Sequence, residues 1–141
     1  MVNPQRFSFT EGYDTFGVPD ALPKLPLILT LTYRNSSVDV SGLLDTGASV
    51  NVLPYYSIGV QLGAIWEEQT ISVMLAGNLA TVEARGLLVS AQIGSFEPVR
   101  LVFAWSLSND VPLLLGRMNF FLEFDVCFYR SQLVFDVCSQ S

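Results

Sequence analysis

The sequence predicts a single all-β domain, and three observations carry that prediction. From Leu27 onward, short runs rich in β-branched, aromatic and leucine residues are separated by turn residues. Near the C-terminus, Phe124, Val126 and Phe128, then Leu133, Phe135 and Val137, alternate with other residues on either side of Arg130-Ser131-Gln132, as a hairpin with one apolar face does. Finally, 141 residues that are 50% hydrophobic and only 14% charged suit one domain with a sizeable core.

The elements follow in order. Residues 1–26 hold four of the seven prolines, with Gly12 and Gly17, and read as an irregular N-terminal arm. The aromatics Phe7, Phe9, Tyr13 and Phe16 place that arm against the domain or a partner. Residues 27–138 form the domain, and 139–141 a short tail. Strands are predicted at Leu27–Tyr33 and, after a turn at Asn35–Ser37, at Val38–Leu44. Extended structure resumes at Val50–Pro54, then at Thr70–Leu75, Thr81–Ala84, Gly86–Ile93 and Val99–Trp105. Arg117–Phe121 has the composition of about one helical turn. Trp66, Trp105, Phe120 and Phe121 are expected in the core.

Composition excludes several chemistries. There is no histidine, which removes Ser-His-Asp and Cys-His nucleophilic systems and leaves carboxylates as the acid–base groups. With only Cys127 and Cys138, a zinc site is not expected, and both are read as reduced thiols. A net charge of −6 with one lysine, Lys24, argues against nucleic-acid and anionic-membrane partners. No stretch approaches the roughly 20 apolar residues of a membrane span, and the N-terminus lacks a secretory pattern, so a cytoplasmic location is expected. A mean hydropathy of +0.43 is high for a small monomer, so either the core is unusually rich or part of the apolar surface is buried against another chain.

The chemistry sits in Leu43-Leu44-Asp45-Thr46-Gly47-Ala48-Ser49. Asp-Thr-Gly alone is weak, but here it ends a predicted strand, and Val111-Pro112-Leu113-Leu114-Leu115-Gly116-Arg117 follows about seventy residues later. Gly47 lets the loop turn tightly and leaves room beside the Asp45 carboxylate. With this order and spacing, the chain from about Leu27 to Val137 resembles the retropepsin-like aspartic proteases, in its longer arm and extended C-terminal hairpin the cellular or bacterial members.

The resemblance implies a retropepsin-like β-barrel with one short helix after the Leu-Leu-Gly-Arg strand, assembled as a homodimer. It implies Asp45 as the catalytic residue, with Thr46, Gly47, Leu115 and Gly116 supporting its loop. The Thr46 hydroxyl would bond to the partner loop, and Ala48 and Ser49 would lie along the substrate cleft. A flap is implied at Ile71–Val82, with Leu75, Ala76, Gly77 and Asn78 contacting substrate near its tip. Ser49 stands where relatives often carry an aspartate that pairs with the arginine of Gly-Arg, so Arg117 needs another partner or is solvated.

Hydrolysis by this chemistry needs two carboxylates sharing one proton, and the chain holds one Asp-Thr-Gly. Asp45 must therefore meet its symmetry mate on a two-fold axis, with the hairpin Glu123–Val137 as the candidate interface. The leading expectation is a homodimeric aspartic endopeptidase that cuts extended, mostly apolar peptides at acidic pH without metal or cofactor. Ala48 is read as keeping that optimum only moderately acidic. The alternative is a non-cleaving dimerisation or peptide-binding module of the same fold; a third reading is an unrelated barrel with a chance motif.

Overall fold

The computed structural model describes residues 4–14 and 16–140, without the side chains of residues 27 and 78. Residues 1–3 and 15 of the arm and residue 141 of the tail lie outside the described residues. The strands are β1 (Gln5–Ser8), β2 (Thr10–Tyr13), β3 (Pro19–Leu22), β4 (Lys24–Tyr33), β5 (Ser36–Leu44), β6 (Asn51–Leu53), β7 (Ser72–Val73), β8 (Ala84–Ile93), β9 (Val99–Ser106), β10 (Leu114–Leu115), β11 (Phe124–Tyr129) and β12 (Val134–Ser139). One helical turn, α1 (Phe120–Glu123), precedes β11.

Six strands close into a barrel in the order β4-β5-β10-β6-β9-β8, because β4 pairs with β5 on one side and β8 on the other. The period of two drives this closure. In β8 the side chains of Leu87, Val89, Ala91 and Ile93 point inward and are buried. Leu29, Leu31, Leu101, Phe103, Trp105 and Leu115, each fully buried, meet them inside. The register of β4 against β5 shifts between Leu25 and Leu29, around Pro26, which cannot donate a ladder hydrogen bond.

A second, three-stranded sheet, β1-β12-β11, caps the barrel. Its inner face presents Phe7, Phe135 and Val137 to the core, continuous with Phe120 and Phe124. The expected C-terminal hairpin is present, with β12 in the centre of the sheet and β1 and β11 at its edges. Cys127 is exposed, Cys138 is half-buried, and both are free.

The arm departs from its reading as irregular. β1 pairs residue for residue with β12, from Gln5↔Val137 to Ser8↔Val134, and β2 and β3 form a hairpin. The reason lies in Arg6-Phe7-Ser8-Phe9, a strand-like alternation that the surrounding prolines mask. It sends Phe7 and Phe9 onto Phe135 at ring separations of 5.4 and 6.1 Å. Asp14 closes the hairpin turn, its Oδ1 accepting the backbone N–H groups of Phe16 and Val18.

On the outer face of this sheet Arg6 grips Asp136 with two hydrogen bonds, of 2.7 and 3.1 Å, while lying over the Tyr129 ring. The Arg6 hydrogen bond holds the Asp136 carboxyl below the ordinary aspartate range; partial burial opposes this and the Arg6 charge reinforces it. A carboxylate lowered in the native state stabilises it above the unfolded pKa, and that contribution is lost as pH falls through the native value. The Arg6–Asp136 pair therefore contributes its full share to β1 docking at neutral pH and loses that share under acid below the ordinary aspartate range. Amide hydrogen exchange checks this. Protection of residues 5–8 should fall across that acid window in the wild type, and should be lower and independent of pH in Asp136→Asn.

Candidate active site

β5 is a nine-residue strand whose last residue, Leu44, is buried, so the chain must leave the barrel wall at Asp45. The following turn is local: Ala48 N–H donates to the Asp45 carbonyl at 3.1 Å, and Gly47 N–H donates to Asp45 Oδ1 at 2.9 Å. A Cβ on Gly47 would stand 3.3 Å from that same oxygen, a tight contact against the carboxylate. Glycine thus gives the carboxylate both a donor and clearance. Asp45 is half-buried and Thr46 is exposed. Among the described residues the Thr46 hydroxyl makes no hydrogen bond within the chain.

The loop is held from behind by β10, which runs parallel to β5 and antiparallel to β6. Asp45 N–H donates to the Leu115 carbonyl at 3.0 Å, and Leu43 N–H to the Leu113 carbonyl at 3.0 Å. Beyond β10 the chain continues along the loop. Arg117 N–H donates to the Ala48 carbonyl and Met118 N–H to the Ser49 carbonyl, both at 3.0 Å. A side chain at Gly116 would run into the backbone carbonyls of Val50 and Ala48, so this crossing needs a residue without a Cβ.

Asn51 was not singled out in the sequence, yet it locks the crossing. It is fully buried, and its Oδ1 accepts Gly116 N–H at 2.8 Å while its Nδ2 donates to the Val102 carbonyl at 3.0 Å. Asn119 continues the network, accepting Val102 N–H at 2.9 Å and donating to the Arg100 carbonyl at 3.0 Å. The available signal was a lone amide inside the apolar run Val50-Asn51-Val52-Leu53, where a buried polar side chain must find partners.

The segment Ile71–Val82, read from the sequence as a flap hairpin, lies beside the Asp45 cavity but does not form a hairpin. Ser72 and Val73 pair with Arg85 and Ala84, after which the ladder ends and Gly77–Leu79 forms a tight 3-10 turn. Thr81–Ala84 contributes only Ala84 to a strand. Leu75, Leu79 and Val82 explain this: their spacing of four and three is that of a helical face, and a strand would split them between two sides. Coiled, the segment turns all three toward Val52, Ala84, Ala104 and Val111, a small apolar cluster on the outside of the barrel.

The base of the flap is clamped by Arg85. Its Nη1 donates to the carbonyls of Trp66 at 2.8 Å and Gln69 at 3.3 Å, and the guanidinium lies 4.5 Å from the centre of the Trp66 ring. Trp66 in turn packs edge-on to Trp105, which stacks on Tyr55. Both tryptophans and Phe120 are core residues, as the sequence suggests; Phe121 packs partly buried against them.

Between loop and flap lies a cavity of about 320 Å³. Of the residues singled out in the sequence, it brings together Asp45, Gly47, Ala48, Ser49, Leu75, Ala76, Gly77 and Arg117. Val50, Val52, Leu79 and Leu114 complete its lining. Leu115 and Gly116 are buried behind the loop, and the Asn78 side chain lies outside the described residues. Arg117 is exposed and, among the described residues, forms no ion pair, with Ser49 beside it. No group of three or more Cys, Asp or Glu side chains converges as a metal site needs, among the described residues.

A closed six-stranded barrel with a two-residue strand threaded behind an Asp-Thr-Gly loop is the fold of the retropepsin-like aspartic proteases. Among solved structures the chain is similar to the crystal structure of a retropepsin-like aspartic protease from Rickettsia conorii, with a TM-score of 0.59 and 14% sequence identity, covering 98% of this chain and 100% of that one. No protein-family model matches the sequence, and no curated protein matches it. At 14% identity the likeness is one of fold.

Asn51 provides a direct test of how the loop is supported. Asn51→Ala strands the Gly116 N–H and the Val102 carbonyl, each at about 1–3 kcal/mol when buried. The expected loss of unfolding free energy is about 2–6 kcal/mol, read by urea denaturation with an unchanged m-value.

Proposed function

We propose that the protein is an aspartic endopeptidase that works as a homodimer. The observation that supports this most is the setting of Asp45. Its half-buried carboxylate faces a cavity under a flap, takes a hydrogen bond from Gly47 N–H, and sits on a loop fastened along residues 115–118. A rigidly presented carboxylate in a partly enclosed cleft is what general acid–base catalysis on a bound peptide requires.

One chain supplies half of the chemistry. In the dimer, two Asp45 carboxylates face each other and share a single proton, since both cannot be ionised at such short range. The ionised one removes a proton from water, and the resulting hydroxide attacks the scissile carbonyl carbon. The protonated one hydrogen-bonds the carbonyl oxygen and stabilises the charge that develops there. Collapse of the tetrahedral intermediate breaks the C–N bond as the amine takes up a proton from the dyad. Water and two carboxylates balance the reaction, with no metal or cofactor step.

The apolar lining by Val52, Leu75, Leu79 and Leu114 fits extended substrates with apolar side chains near the cleaved bond. For the dimer, β12 is already paired on both sides, so within the hairpin the free edge of β11 is the surface left for a second copy. Phe128 and Tyr129 are exposed along it. Two free cysteines suit a reducing, cytoplasmic setting. Among the described residues no helix is long and apolar enough to cross a membrane.

Two measurements on the full chain test this reading. Asp45→Asn should lower peptide cleavage by at least roughly 10²–10⁴-fold while leaving the thermal midpoint nearly unchanged, the optimum of the wild type being acidic. Sedimentation at micromolar concentration should give a dimer. Cleavage unaffected by Asp45→Asn, or an active monomer, would sink the proposal. Peptide binding with no turnover at any pH would favour a binding module instead.

A further inference from the structure

Four of the arginines each have a carboxylate partner. Arg6 meets Asp136 at 2.7 Å, Arg130 meets Asp20 at 3.2 Å, Arg85 meets Glu83 at 3.6 Å and Arg34 meets Glu68 at 3.8 Å. Arg117 does not. Its backbone is pinned, with its N–H on the Ala48 carbonyl and its neighbours tied to Asn51 and Ser49. Its side chain is exposed, makes no hydrogen bond among the described residues, and lines the cavity that holds Asp45. Asp45 and Arg117 are the two charged residues of that lining, and Ser49 beside Arg117 brings no neutralising charge.

We infer that Arg117 forms a subsite for a substrate carboxylate, so that the peptides this cleft takes are apolar around the scissile bond and acidic a few residues away. This rests on the cleft being the substrate site proposed above. A planar guanidinium is suited to two parallel hydrogen bonds with a carboxylate. Val52, Leu75, Leu79 and Leu114 line the same cavity, so one bound peptide can meet both the apolar wall and the cation. Asp45 repels an anion next to the cleaved bond, which places the acidic group toward the Arg117 end of the cleft. The net charge of −6 repels acidic peptides at long range, so any preference for them must come from this local cation and must grow shorter in reach with salt.

The carboxylate can belong to an aspartate or glutamate side chain or to a peptide C-terminus, and the test separates the two. Apolar peptides identical except for Glu or Gln are scanned position by position, and a parallel set ends at each position as free acid or amide. Binding is measured by fluorescence polarisation at pH 6 and low salt on full-length protein carrying Asp45→Asn, and kcat/KM on the protein with Asp45 intact. At one position the acidic peptide should bind about tenfold tighter than its neutral twin. Adding Arg117→Ala should bring the twins level by costing the acidic peptide about tenfold more than the neutral one, Arg117→Lys should keep part of the preference, and Arg117→Glu should favour a Lys peptide.

Equal binding of every pair, no peptide binding at all, or a preference that survives Arg117→Ala overturns the inference. So does an equal loss on both twins together with dissociation in sedimentation, which would assign Arg117 to a contact between copies. A clear preference in binding with no cleavage by the wild type would defeat the endopeptidase reading and leave the carboxylate subsite standing.

Discussion

The crossing of β10 behind the Asp45 loop is the constraint on which the rest depends. Two residues, Leu114 and Leu115, pair with β5 on one side, Leu114 also pairs with β6 on the other, and the chain beyond them follows the loop residue by residue. Close approach is possible because Gly116 has no side chain, and it is made specific because Asn51 supplies the acceptor that Gly116 N–H needs. Buried backbone groups left unpaired cost more than a paired one gains. The loop therefore has few alternatives to the geometry in which the carboxylate faces the cleft.

The flap obeys a different logic. It has little ladder of its own, two residue pairs at its base, and is held by Leu75, Leu79 and Val82 resting on an apolar patch outside the barrel. Arg85 ties that base to Trp66, and through Trp66 and Trp105 to the core. Beyond the two residue pairs at its root, the segment is held by apolar contacts rather than by a ladder of backbone hydrogen bonds. Rigid loop and lightly held flap thus share one cavity, and the division of labour follows from hydrogen bonds on one wall and apolar contacts on the other.

Much of the barrel was legible in the sequence, because alternation along Val38–Leu44, Gly86–Ile93 and Val99–Trp105 states which side chains face inward. The same alternation in Arg6–Phe9 is masked by flanking prolines and glycines, which dominate the composition of the arm. Between Ser72 and Ala84 the valines and leucines suggest strands, while the spacing of Leu75, Leu79 and Val82 lets a coiled segment set all three on one apolar cluster. Asn51 could be noticed only as an anomaly, since its partners lie 51 and 65 residues away.

By itself, the sequence determined the all-β class and the place of Asp45 at a strand end. These are local properties, set by side-chain period, turn chemistry and the need for small residues at tight crossings. The tertiary structure alone decided that β12 is paired between two strands, that residues 75–82 lie on an apolar ledge, and that Arg117 lines the cleft without an ion pair among the described residues. Such facts depend on which residues barrel closure brings together, and closure is a sum over contacts that no single stretch of chain contains.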